Sequence, residues 1–542
     1  MVQRETLVNV KRLVLGVLAA ATLSAQTAQL TGFVKDPSDA LIPGAMLRIT
    51  NELTNVSRTI QTNETGFYSF SSLEPGQYRM HVEASGFQSL DQDGITLRVA
   101  QKAQIDFTLP VGQSSQSIVV DAGQQTIQLT SQTIGYVVNQ QMIAELPLNG
   151  RNILQLMQLA PDAGPGIGGG YQQGASRPEM ANSYVSASGG RGASTAFYLD
   201  GGLNEDALTN IANIFPNPDA IDEFAFDTNS HSAKYGGRGG GVMNAVTRRG
   251  TNQFHGSLFE FVRNTEMNAR NFFAGRGDGL KRNQYGGAIG GPVSKDKTFF
   301  FFSYQGTKIR RVPVDNVANA LTAAQRAGDF SLSRVPVTNP DGSGPFPGGR
   351  VPTSLFDPVA LRLLERIPVG APVTGLVYYG SVSRQDNSQY VGRFDHHFNE
   401  SLRIYGSYLY DSLDQPDTTV ANNLLTAGDQ PKRWTSQNAS VNAVWVLRPT
   451  LLSNFVTSVS RRWSAWRSPE AFPGWSSLGV NVPNMVTGGR NALNLSITSY
   501  FSIGYNGFYA LPSTLGQAGN HWNYVRGEHS IDFGGRSSRA RW

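Results

Sequence analysis

Residues that could do chemistry are few in this 542-residue chain, and their spacing assembles them poorly. Gly164 to Gly169 read GPGIGG, a spacing with which a glycine-rich turn can bring backbone N–H groups at a helix start against a pyrophosphate. That use needs a strand before the run and a helix after it. Pro161 and Asp162 precede it instead and no helical pattern follows, so a loop is expected. His397 and Glu400 form an HxxE spacing that could offer two zinc ligands, but a turn at 399–401 separates their strands and no third ligand is identifiable. Asp222 and Glu223 stand side by side in PDAIDEF. Their apolar neighbours Ile221 and Phe224 favour a structural or solvated role over acid and base catalysis. The chain has no cysteine, which removes thiolate catalysis, disulfides and Cys-ligated metal together. No nucleophile, base and orienting group can be assembled, so no catalytic residue, metal site or cofactor is assigned and an enzyme is the weakest reading. Its remaining form, a hydrolase built on the HxxE pair, predicts that His397→Ala abolishes a zinc-dependent activity.

The elements that would have to position any site are strands. With 59 Gly, 10% aromatics and only 16% charged residues, the composition suits turn-rich β structure and not disorder, which needs fewer aromatics and more charge. The length calls for several folding units. The net charge of +5 comes from 45 basic and 40 acidic residues, scattered without a basic run that could follow a phosphate backbone, so nucleic acid is excluded as partner. Lys11 and Arg12, the apolar run Leu13 to Ala21 and small residues up to Ala25 read as an export signal over residues 1–25, too short to span a bilayer. No later segment suits a transmembrane helix, so integration into a membrane would require a closed barrel.

Met46 to Thr50, Phe67 to Phe70, Tyr78 to Val82 and Ile105 to Leu109 are short β-rich runs, separated by the turn signals Pro43-Gly44, Thr65-Gly66, Pro75-Gly76 and Ser85-Gly86. This spacing predicts a small β-sandwich, Ig-like or prealbumin-like. TGFVKDPSDALIPGAMLRIT (Thr31 to Thr50) and TNETGFYSFSSLEPGQYRMHVEASGF (Thr62 to Phe87) resemble the carboxypeptidase regulatory-like domain, giving a first domain at 29–110. The resemblance implies an accessory sandwich without catalytic residues, whose general fold is shared with carbohydrate-binding modules. A structural or protein-contact role is expected first, sugar binding second.

A middle domain is expected at 112–250. After the polar linker Gly112 to Ser115, SIVVDA (Ser117 to Ala122) is a lone extended stretch able to pair with a partner as an added strand. ELPLNGR (Glu145 to Arg151), LAP (Leu159 to Pro161), SASGGRGAS (Ser186 to Ser194), FYLDGG (Phe197 to Gly202), PDAIDEF (Pro218 to Phe224) and SAKYGGRGGGVMNAVTRRGTNQFHGSLFEF (Ser232 to Phe261) follow in order. Together these blocks resemble the plug of a TonB-dependent receptor, with wording closest to the Oar-like subfamily. A domain lodged in a water-lined lumen should be Gly-rich and joined directly to the first wall strand, and Gly236 to Gly241 would permit close backbone approach. The resemblance places an energy-coupling box before the plug. Ile118, Val119, Val120 and Asp121 are the best-placed candidates, an ordinary linker strand being the alternative.

From 251 to 542 the pattern is that of a wall. Ala439, Val441, Ala443, Trp445 and Leu447 alternate with Asn438, Ser440, Asn442 and Val444, and Arg448-Pro449-Thr450 turns the chain into Leu451 to Ser460. Leu402, Ile404, Gly406, Tyr408 and Tyr410 interleave likewise with Arg403, Tyr405 and Ser407 after the turn at 399–401. A lipid exterior and an aqueous interior require this alternation. The polar stretch Asp411 to Lys432 between the hairpins is expected to be a long extracellular loop, the short turns being periplasmic. RNQYGGAIGGPVSKDKTFFFFSYQG (Arg282 to Gly306) and GEHSIDFGG (Gly527 to Gly535) also resemble Oar-like barrel strands. Transporters of that type close with about 22 strands, and at roughly ten residues per strand plus loops this length supplies about half. The ending GGRSSRARW lacks the alternation of a final strand, so the chain is expected to be C-terminally incomplete.

The expected fold is thus mainly β: a sandwich, a mixed α+β plug and an antiparallel transmembrane β-barrel, incomplete in this chain. The resemblance implies a transport protein of the cell outer membrane of a Gram-negative-type bacterium that imports a large nutrient, a glycan or a peptide. Its partners would be the TonB energy-transducing complex of the inner membrane, outer-membrane lipid and an extracellular ligand. The alternative is a surface adhesion or structural protein that uses the sandwich for contacts.

Overall fold

A computed structural model describes residues 27–112, 117–121, 133–165, 185–207, 210–236, 239–269, 279–311, 316–333, 335–380, 382–428, 430–470, 478–480, 494–504 and 509–541. The expected export signal lies outside them. No helix among the described residues is long and apolar enough to cross a membrane.

The first unit is a two-sheet sandwich. Strands β1 (Ala28–Lys35), β2 (Met46–Asn51), β3 (Ser57–Gln61), β4 (Phe67–Leu73), β5 (Gly76–Glu83), β6 (Ser89–Leu97), β7 (Lys102–Gln104) and β8 (Phe107–Thr108) are joined by β9 (Ser117–Asp121). One sheet runs β4-β1-β7 with β8 also on β1, and the other runs β3-β2-β5-β6-β9. Alternate residues of β1 are buried, as a strand with one face on a core requires. The core between the sheets includes Leu30, Leu47, Phe70, Met80 and Phe107. All four expected turn glycines, Gly44, Gly66, Gly76 and Gly86, take positive φ. Of the run expected as one strand over Ile105 to Leu109 only Phe107–Thr108 is strand, as β8, with β7 just before the run and both parallel to β1. Between them Asp106 leaves the ladder and its Oδ1 accepts from Phe33 N at 3.0 Å.

The second unit holds β10 (Ile134–Asn139), β11 (Ala163–Pro165), β12 (Val185–Ala187), β13 (Ala196–Leu199), β14 (Gly202–Leu203), β15 (Ile221–Asn229) and β16 (Val242–Thr247), with a short helix Gln140–Glu145 and a 3-10 segment Ile153–Leu159. Its mixed sheet runs β10-β15-β16-β13-β14. Every residue of β16 is buried, because this sheet is covered on both faces. Gly240 and Gly241 pass so close to Ser194 and Phe226 that a Cβ would fall 2.8 and 2.6 Å from them.

The wall is an antiparallel sheet that packs against the second unit. β17 (His255–Asn264), β18 (Lys281–Ser294) and β19 (Thr298–Arg311) lead, through a long connection carrying β20 (Asn316–Asn319) and β21 (Leu376–Tyr379), to β22 (Ser383–His397), β23 (Leu402–Gln415), β24 (Lys432–Arg448) and β25 (Leu451–Trp466). A second long connection with β26 (Asn494–Ser496) and β27 (Ser502–Gly504) precedes β28 (Tyr509–Arg526) and β29 (His529–Arg541). The nine strands run β17-β18-β19-β22-β23-β24-β25-β28-β29, so the sheet is open, with β17 and β29 at its edges. The inward faces are polar: Asn438, Ser440 and Asn442 are buried, while Val441 and Trp445 between and beyond them are 46% and 52% exposed on the outer face. Short turns join strands at one end, and at the other the long connections share their own core of Ala320, Leu363, Leu424, Leu478 and Phe501.

One expectation about the wall needs correction. Asp411 to Gln415 are strand, not loop: Asp411 faces inward and accepts from Asn387 Nδ2 at 3.1 Å and Gln389 Nε2 at 3.3 Å. A polar inward face hides a strand end from hydropathy. Residues 535–541 complete β29, held to β28 by backbone pairing from Arg526–His529 to Thr514–Arg541, and the barrel stays unclosed, as expected of an incomplete wall.

Candidate functional site

The sandwich, the second unit and the wall meet at one buried knot of charge at the short-turn end. The bend after β4 presents Glu74, which is 8% exposed. Its carboxylate pairs with Arg249, just beyond β16, and with Arg403 Nη1 at 3.2 Å. Arg393 on β22 lies 3.8 Å from the same carboxylate, 3.5 Å from Asp200 and 2.8 Å from Asp395, its guanidinium lying 4.7 Å from the Tyr405 ring centroid. Burial alone would push the Glu74 carboxyl up. Arg403 and Arg249 outweigh it and hold the group well below the usual carboxylate range. Asp200 closes the knot from FYLDGG, accepting from Thr247 N at 3.0 Å and Oγ1 at 2.8 Å. Removing one member of so buried a set would strand its partners' charge, which costs about 3–5 kcal/mol.

A second joint ties the sandwich to the second unit. Glu223 in PDAIDEF is buried, accepts from the backbone N–H of Val99 and lies 3.7 Å from Arg98. Burial, and then the neighbouring Asp222, push its carboxyl up to about 7. The structure thus makes Glu223 an interdomain contact. At the third joint Arg151 of ELPLNGR pairs with Asp219, donates to Gln305 Oε1 at 3.0 Å and stacks 4.3 and 4.4 Å from the Phe259 and Phe261 ring centroids of β17.

The other chemistry-bearing patterns stay apart. Gly164 and Pro165 belong to β11, and Gly166 to Gly169 lie outside the described residues. His397 ends β22 against the Phe299 ring, while Glu400 is exposed in the turn. Among the described residues no group of three or more His, Asp or Glu could hold a metal. Ile118 to Asp121 do form a strand, but on this chain's own sandwich: β9 pairs parallel with β6 from Ser89–Ser117 to Asp93–Asp121.

The knot was missed from sequence. Its one local signal is Arg393 with Asp395, opposite charges two apart and hence on one strand face. Glu74 has none, because its partners lie at 249, 393 and 403.

Residues 246–542 match the family described as outer membrane beta barrel domain. The chain belongs to that family. Residues 29–110 match the carboxypeptidase regulatory-like domain. The TonB-dependent transporter Oar of Myxococcus xanthus is 26% identical over 332 residues, which cover 56% of this chain and 30% of that protein. The chain therefore spans about a third of the curated relative's length. Among solved structures it is similar to the outer membrane transporter YddB of Escherichia coli (11% identity, TM-score 0.46, covering 75% of this chain and 48% of the other). It is also similar to the ferric enterobactin receptor PfeA of Pseudomonas aeruginosa (13%, 0.42, 75% and 49%). This β-barrel family member is an Oar homologue of the Gram-negative outer membrane. Its second unit packs against the polar inner face of the wall.

Proposed function

We propose that this chain forms the sandwich, plug and part of the wall of a TonB-dependent importer of a large nutrient, a glycan or a peptide. The observation that carries the reading is a plug packed inside a wall whose inner face is polar and whose outer face is apolar. Such a wall needs a cork and a means of moving it. The curated relative is named a TonB-dependent transporter, which supports the same class.

Ile118, Val119, Val120 and Asp121 are proposed as the handle for the inner-membrane TonB complex. β9 lies at the edge of its sheet, with β6 on one side and no strand among the described residues on the other, so an incoming strand could add to it. The position of the sandwich favours import over surface adhesion. It sits at the short-turn end, where Ser71 Oγ donates to Asn523 Oδ1 at 2.6 Å and Asn63 Nδ2 to the Gly527 carbonyl at 2.9 Å. Short turns mark the periplasmic side.

Deleting Ser117 to Ala122 from the full-length protein tests this. Growth on glycan and peptide sources should fail while surface display stays normal. Unchanged growth on every source that the intact protein supports would refute the handle.

A further inference from the structure

The plug meets the wall by two kinds of chemistry. Toward β18, β19, β22 and β23 its apolar core is continuous with the wall: Ala288, Phe301, Val391 and Leu409 belong to the same cluster as Phe215, Phe224 and Phe226. On that side the wall meets the plug's Asn217 directly, its N and Nδ2 donating to Gln389 Oε1 at 2.6 and 3.1 Å.

Toward β24, β25 and β28 the contact is a ladder of neutral amides and hydroxyls. Asn442 Nδ2 donates to the Asp200 carbonyl at 3.1 Å, Asn438 Nδ2 to Asn204 Oδ1 at 3.2 Å, and Asn213 Nδ2 to Ser460 Oγ at 2.7 Å. Much of this ladder is left over. The Oδ1 atoms of Asn438, Asn442 and Asn213, the hydroxyls of Ser436 and Ser458, and both amide atoms of Asn454 are buried without a partner. Buried polar atoms are nearly always paired, with water where protein offers nothing. Parting these two faces would let water satisfy groups that are now unpaired, whereas parting the other side would expose apolar core.

The outer end of the ladder is stopped. Ile211 and Ile214 of the plug are buried against Leu413, Trp434 and Trp466, with Leu511 packed beside them, and the two indoles meet edge to face at 5.7 Å. Just below, Arg462 pairs with Asp206 at 2.8 Å.

We infer that the plug parts from the wall along β24, β25 and β28, hinging on its apolar attachment to β18–β23, and that Ile211 and Ile214 are the stopper at the outer mouth of this solute path. The inference rests on the reading of the chain as a plugged importer, but its test needs neither import nor an identified ligand. These 542 residues hold no cysteine, so once any cysteine elsewhere in the full-length protein is replaced, single cysteines report cleanly. Asn454 and Val391 are 0% and 1% exposed, so a rigid plug would protect both alike.

In the full-length protein displayed on cells, Asn454→Cys should react with a membrane-impermeant maleimide about tenfold faster than Val391→Cys, because local opening sets the rate. Adding Ile211→Ala and Ile214→Ala should speed Asn454→Cys further and leave Val391→Cys unchanged. An Asn213→Cys/Ser460→Cys disulfide, made in the Asn454→Cys background and followed by the site of labelling, should suppress the reaction until it is reduced. Equal rates at both cysteines, a faster Val391→Cys, or indifference to the stopper and the disulfide would overturn the inference. Import lost through the handle deletion with these rates intact would separate the two claims.

Discussion

The sandwich and the plug, neighbours in the chain, keep their cores in different ways. The sandwich closes its core between its own two sheets, and every buried member of it lies between Ala28 and Leu109. The plug borrows Ala288, Phe301, Val391 and Leu409 from the wall to complete its own. A unit that buries its apolar surface internally can fold alone, whereas one that shares its core is stable only with its container. The second unit is thus stabilised by the wall it packs against, and the sandwich can serve as a rigid body attached to it.

The sharpest way to break this comparison is to cut a large side chain from each core. Phe70→Ala should cost about 3–5 kcal/mol, as truncation of a fully buried aromatic does. The loss should fall on the sandwich alone, seen in calorimetry of the detergent-solubilised protein as one early transition with the wall's unchanged. Phe301→Ala should act on plug and wall together. If Phe70→Ala shifted the wall's transition equally, the sandwich would not be an independent unit.

A smaller effect is expected where the two regions are latched. Glu74→Gln removes the charge that Arg249 and Arg403 share but leaves Arg393 its bonds to Asp395 and Asp200. The cost should sit near the low end of the range for a broken buried pair, about 3 kcal/mol. It should appear as easier proteolytic release of the sandwich, with the sandwich's own melting unaltered. Release at the wild-type rate would mean that the knot does not hold the two regions together.

What could be read in advance follows from how far each signal reaches along the chain. The alternation at Ala439 to Leu447 and Leu402 to Tyr410 assigned lipid and lumen faces because a strand's period of two is local. The four turn glycines were legible for the same reason, since positive φ is a property of one residue. The Glu74 knot and the pairing of β9 with β6 were not, because each joins residues that no short window contains. Asp411 was misplaced because a lumen-facing strand end and a polar loop have the same composition. The plug's order of motifs was recognisable as a whole, yet the motifs gave no hint that Glu223 faces the sandwich.

The gentlest test uses that contact. The Glu223 carboxyl is raised from 4.5 to about 7, chiefly by burial. A group whose folded value is raised holds its proton in the docked state over a range where the undocked state has released it. Docking therefore weakens as pH rises through that window, and no further loss follows above about 7. The slope can reach at most about 1.4 kcal/mol per pH unit, and Arg98, at 3.7 Å, eases the ionised form. Glu223→Gln, which keeps an acceptor for Val99 N–H but cannot ionise, should flatten the profile between pH 5 and 7 in the same proteolytic release assay, a range set by that shift. If wild type and variant ran parallel, the joint between sandwich and plug would owe nothing to this carboxyl, and the charged knot at Glu74 would be left as the main polar tie between the two regions.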